Sequence, residues 1–144
     1  MVSGGDTLLA FDYGRRRIGV AVGNTLTRQA RALVTLDAGE SGPDWTRIAA
    51  LIGAWQPARL VVGVPYNDAA PGATIAAEAQ RFARRLHGRF GLPVETVDER
   101  LSSAAAHERL KAERRAGRRG QIARQDIDSA AAAVILQDWL DNHT

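Results

Sequence analysis

The chain has 144 residues, 45% hydrophobic and 24% charged, with a formal net charge of +3; that suffices for one domain, 1–144, with a core of its own, and it excludes wholesale disorder. No apolar run approaches the ~18 residues a spanning helix needs, the first residues lack the basic region of a secretory signal, and Cys is absent, which removes a disulfide framework, a thiolate zinc site and a cysteine nucleophile and fits a reducing compartment. Of 19 basic residues 18 are Arg, and seven of the 19 fall between Arg109 and Arg124 against one acid, Glu113, a composition that fits a polyanionic partner and equally a plain bias toward Arg and Ala.

In chain order, TLLAF (7–11) predicts a buried strand ending at the turn signal Asp12-Tyr13-Gly14. IGVAVG (18–23) and ARALVTL (30–36) follow as strands, an antiparallel meander. Asp44 is a candidate N-cap for a helix carrying Trp45, Ile48, Ala49, Ile52 and Trp55, stopped by Pro57. RLVVGVP (59–65) suits a strand buried on both faces. Thr74 to Phe90 predicts a helix with Ile75, Ala79, Phe82 and Leu86 on one stripe, and LPVETVDE (92–99) a further strand. Ser102 can cap a helix to about Ala116, 117–125 reads as a loop, and Asp126 caps a last helix to Asn142. A meander followed by alternating helices and strands predicts an α/β fold: a mixed five-stranded sheet, antiparallel over its first three strands and parallel beyond, with helices on both faces.

The acids punctuate this pattern. Asp12 ends the first strand, Asp98 and Glu99 end the last, and Asp128 opens the final helix on a stripe with Ala132, Ile135 and Trp139. Open α/β sheets bind ligands at the carboxyl edge of their strands. Three carboxylates converging there repel one another unless a cation neutralises them. Hard oxygen donors suit Mg²⁺ or Mn²⁺, and two such ions about 4 Å apart can drive phosphodiester cleavage. Each acid also has a plainer reading: Asp12 as an Asx turn, Asp98 and Glu99 as a solvated strand end, Asp128 as a complement to the helix dipole. Arg15 to Arg17 reads as a solvated turn, and Arg109 to Arg124 as a solvated helix face and loop. The three His are scattered, and phosphate-loop, dinucleotide and nucleophile-elbow motifs are missing.

Four segments in order, FDYGRRRIGVAVG (11–23), LVVGVPYN (60–67), VDERLSS (97–103) and IDSAAAAVILQDWL (127–140), resemble the YqgF/RuvX family of pre-16S rRNA nucleases and Holliday junction resolvases. The resemblance spans nearly the whole chain. It implies an RNase H-like fold and a metal-dependent nuclease of the bacterial cytoplasm, with two Mg²⁺ (or Mn²⁺) ions. Carried over by position, it makes Asp12, Glu99 and Asp128 both catalytic and metal-binding, with Asp98 the alternative to Glu99. Neighbouring strand residues point to opposite faces, so Asp98 and Glu99 do not easily serve together. Arg17 matches the family's RIG arginine and Arg100 its DER arginine; with Arg118 and Arg119 they are candidate phosphate contacts. Gly23-Asn24 stands where relatives often carry an acid, and DAAPGAT (68–74) departs from the usual loop.

The expected activity is endonucleolytic processing of the 5′ end of pre-16S rRNA, on structured RNA, by a monomer or homodimer away from membranes. The alternatives are a Holliday junction resolvase acting on branched DNA as a two-fold dimer, or a non-catalytic nucleic-acid-binding module. A nucleotide-closing phosphotransferase would need a second lobe that 144 residues do not supply.

Overall fold

The computed structural model describes residues 5–64, 75–98 and 124–143. Strands β1 (Thr7–Asp12), β2 (Arg17–Asn24) and β3 (Gln29–Asp37) lead into helix α1 (Trp45–Trp55) and β4 (Arg59–Val64). Helix α2 (Ile75–Phe90), β5 (Val94–Asp98) and helix α3 (Arg124–Asn142) complete the described elements. The five strands form one sheet in the order β3-β2-β1-β4-β5. β1 pairs antiparallel with β2, as β2 does with β3; β1–β4 and β4–β5 are parallel. The expected meander and its parallel extension are both present.

Alternation along the strands divides the core in two. Leu9, Phe11, Ile18, Val20, Leu60 and Val62 face α1 and α2, meeting Ile48, Phe82 and Leu86. Leu8, Ala10, Ala21 and Val61 face α3, meeting Ala132, Ile135, Leu136, Trp139 and Leu140. β1 and β4 are buried on both faces, which is why TLLAF and RLVVGV are continuous apolar runs rather than alternating ones.

The local signals act as expected at most ends. The Asp44 carboxylate accepts the N–H of Arg47 at 3.1 Å and caps α1, and Gln56 closes it in the left-handed region at φ 48°. Gly91, at φ 68°, ends α2. Three details differ. Ala49 is exposed, so the buried side of α1 is narrower than its apolar spacing suggests. β5 begins at Val94: Pro93 has no N–H for the ladder, although its carbonyl accepts from Leu60 N at 2.9 Å. α3 begins at Arg124, so residues 124 and 125 are helical rather than loop and Asp126 lies inside the first turn rather than at the cap. The helix expected over 102–116 lies outside the described residues.

Candidate active site

Asp12 is the last residue of β1 and shares its face with Leu8 and Ala10, the α3 face. The pairing register puts Gly19 of β2 on one side of it and Gly63 of β4 on the other. Gly63 pairs in turn with Val97 of β5, whose side chain packs on the α3 cluster. One row, Gly19–Asp12–Gly63–Val97, therefore crosses four strands on one face, with two glycines flanking the carboxylate.

The final helix comes down on that row. A methyl group built on Gly19 would overlap the backbone carbonyl of Asp128 and stand 2.8 Å from the N–H nitrogen of Ser129. Only a residue without Cβ admits the helix backbone so close to the sheet. Gly19 is the register partner of Asp12, so this contact brings Asp128 beside the Asp12 position. The predicted stripe of Ala132, Ile135 and Trp139 is buried against the sheet and holds the helix in this orientation.

Arg17, the first residue of β2, lies two residues before Gly19 on the same face. It is not part of a solvated turn. Its Nε donates to Oδ2 of Asp128 at 2.7 Å, and both side chains are 26% exposed. The family arginine is thus a direct partner of one candidate acid.

Asp98 lies elsewhere. It is the register partner of Val64, next to Val97, and alternation puts it on the α1/α2 face with Val94. The backbone thus separates Asp98 from the face of Asp12. Glu99, Arg100, Arg118 and Arg119 fall outside the described residues. Among the described residues no three acids or histidines gather as a metal-binding group.

Residues with no expected functional role stand at the same edge, among them Arg15, which was expected only in a solvated turn. Tyr13, following Asp12, turns to the opposite face and tilts its ring on Phe82 at 5.3 Å. Arg15 grips Glu78 of α2 through Nε at 2.9 Å and a terminal nitrogen at 2.7 Å. The hydrogen bond from Arg15 holds the Glu78 carboxyl below its ordinary range, and Glu78 raises the Arg15 guanidinium. Burial, followed by the charge of Glu78, pushes the Tyr13 phenol up. Gly19 had one sequence signal: a glycine inside an otherwise apolar strand marks close backbone approach.

The RuvX family model, described as Holliday junction resolvase, matches residues 6–142. The chain belongs to the RuvX family. RuvX proteins are hydrolases of nucleic-acid phosphodiesters. A RuvX relative from Pseudomonas putida, named "Putative pre-16S rRNA nuclease", is 48% identical over 139 residues, 95% of this chain and 96% of its own. One from Azotobacter vinelandii with the same name is also 48% identical over 139 residues, 96% of each chain. In the structure of Thermus thermophilus RuvC in complex with a Holliday junction substrate, the RuvC chain superposes with a TM-score of 0.61 at 16% identity, covering 94% of each chain. At that identity the likeness speaks for the fold, the RNase H-like α/β fold expected. Among the described residues no helix is long and apolar enough to cross a membrane.

Proposed function

We propose that the chain is a divalent-metal-dependent endonuclease that processes the 5′ end of pre-16S rRNA in the bacterial cytoplasm. The observation that carries this reading is the seating of the Asp128 backbone on Gly19, the register partner of Asp12. It draws two carboxylates from opposite ends of the chain to one sheet face at the carboxyl edge. The 48% identical relatives carry the rRNA nuclease name, which supports the substrate.

The donor set fits a hard cation. Asp12 and Asp128 offer carboxylate oxygens of the kind Mg²⁺ or Mn²⁺ takes, and two neighbouring anions need a counter-charge. Arg17 engages Oδ2 of Asp128 and leaves Oδ1 for a cation. We assign Glu99 rather than Asp98 as the third ligand, because Asp98 belongs to the other face of β5. Two ions held there would supply Lewis-acid activation of water and neutralise charge on the scissile phosphate. The chain's own residues orient the reaction. Arg17 fixes the Asp128 carboxylate, and with it Arg100, Arg118 and Arg119 are assigned as contacts to the phosphate backbone from their match to the family pattern and their charge. Water adds to phosphorus as the P–O3′ bond breaks, leaving a 5′-phosphate and a 3′-hydroxyl.

The family description and the RuvC likeness favour one second reading, resolution of four-way DNA junctions by a two-fold dimer. The test is cleavage, in Mg²⁺, of a pre-16S rRNA 5′ precursor and of a four-way junction by the wild type and by Asp12→Asn. The rRNA reading expects precursor cleavage that Asp12→Asn abolishes. Symmetric junction cutting by a dimer that leaves the precursor whole would transfer the assignment to resolution. Substrate binding with neither cleaved would leave a non-catalytic module.

A further inference from the structure

Helix α2 carries a second electropositive feature, separate from the carboxylates. It exposes Arg81, Arg84, Arg85 and Arg89, and its one acid is Glu78. Glu78 is already paired with Arg15 at 2.7 Å. Among the described residues no carboxylate pairs with the four arginines. At 3.6 residues per turn and 1.5 Å per residue, they cover about 140° of the helix surface and about 12 Å of its length. The buried stripe of Ala79, Phe82, Ala83 and Leu86 lies on the opposite side.

A run of charge on a helix is ordinarily a solvated face, but two observations set this one apart. The Arg85 and Arg89 guanidiniums lie 5.0 and 4.1 Å from the centre of the Trp45 ring. Stacked forks lose less freedom when they meet a phosphate. The array also reaches the sheet edge that carries the site, from the opposite face of the sheet. A cleft of about 380 Å³ is lined by Tyr13, Pro43, Glu78, Arg81, Phe82 and Arg85, and Tyr13 directly follows Asp12.

We infer that this face of α2 is a track for the phosphate backbone of a polynucleotide that extends beyond the cleavage site. The inference takes its direction from the nuclease reading. A length of about 12 Å spans three to four phosphates of one strand, at about 3.4 Å each along a duplex axis. An acidic protein is the weaker match. Protein interfaces are anchored by exposed apolar or aromatic groups, and the exposed large hydrophobic among the described residues, Leu26, stands in the β2–β3 turn at the far end of the sheet.

The test is equilibrium binding of a fluorescein-labelled RNA hairpin and a labelled four-way DNA junction over a salt series in EDTA, where cleavage plays no part. The quadruple variant Arg81→Gln, Arg84→Gln, Arg85→Gln, Arg89→Gln is expected to flatten the slope of log K against log salt by about 2 to 3 and to weaken binding at least about tenfold. Arg81→Gln with Arg84→Gln leaves the Trp45 contacts intact and should flatten the slope by about 1 to 2 if the quadruple variant unfolds. Arg28→Gln, in the β2–β3 turn, should keep the wild-type slope to within about 1. Folded α2 variants with unchanged affinity and slope overturn the track, as does loss of polyglutamate binding with polynucleotide binding intact. Wild-type cleavage in Mg²⁺ is scored separately. A protein that cuts nothing yet shows the α2-dependent slope loses the nuclease reading and keeps the track.

Discussion

Gly19 and Asp128 touch backbone to backbone, with no room between them for a single methyl group. Because Gly19 is the ladder partner of Asp12, this one contact sets how close the two acids come. Gly19→Ala would have to push α3 off the sheet, since the opposing atoms are main chain and cannot rotate away. It should destabilise the protein by about 1–3 kcal/mol, the ordinary cost of overpacking, read as a lower denaturant midpoint. Cleavage should fall further than stability explains when the folded fraction is matched. Wild-type stability and wild-type cleavage in Gly19→Ala would remove the contact from the account.

The Arg17–Asp128 ion pair is half-buried, with 26% exposure on each side, so solvent screens part of its strength. A double-mutant cycle of Arg17→Met and Asp128→Asn should show a coupling of about 1 kcal/mol in denaturant unfolding. Arg17→Lys should restore little of it, because the bond uses Nε of a planar fork. Zero coupling would make the pair incidental to the fold.

Asp98 and Glu99 are adjacent in sequence but should behave differently. Asp98→Asn is expected to keep Mg²⁺-dependent cleavage within a few fold, whereas Glu99→Gln should lose at least about three orders of magnitude, equivalent to several kcal/mol of barrier. Isothermal titration with Mn²⁺ should show the same split in metal affinity. The reverse pattern would place the ligand at Asp98 and contradict the strand alternation of β5.

The Arg15–Glu78–Tyr13 cluster gives a pH signature. Arg15 depresses the Glu78 carboxyl, so the pair adds stability above the ordinary carboxyl value of about 4.3 and loses it as pH falls through the depressed value. Glu78→Gln should be less stable than wild type at neutral pH, with the gap closing on acidification. The same substitution should bring the Tyr13 phenol down toward its ordinary value, since the Glu78 charge helps to raise it. Absorbance titration in a Tyr66→Phe background isolates Tyr13, because the chain has two tyrosines. An unmoved phenol would mean that burial alone sets it.

The sequence by itself determined the order of the described elements, the two buried strands and the positions of the candidate acids. These follow from local physics: the period of the apolar residues, the capping Asp44, the terminating Pro57 and Gly91, and a resemblance carried by four short segments. Which acids share a face was decided only by the folded chain. The register that lines up Gly19, Asp12, Gly63 and Val97 places Asp98 on the opposite side, and register depends on how strands far apart in the chain meet. Arg17 shows the same division. From its neighbours it reads as one of three arginines in a turn, and it becomes the partner of Asp128 only when α3 packs against β2. Charge and periodicity are properties of segments, but a carboxylate oxygen meeting an arginine is a property of packing between segments. That packing depends on a missing Cβ at Gly19, whose partner backbone lies at the other end of the chain.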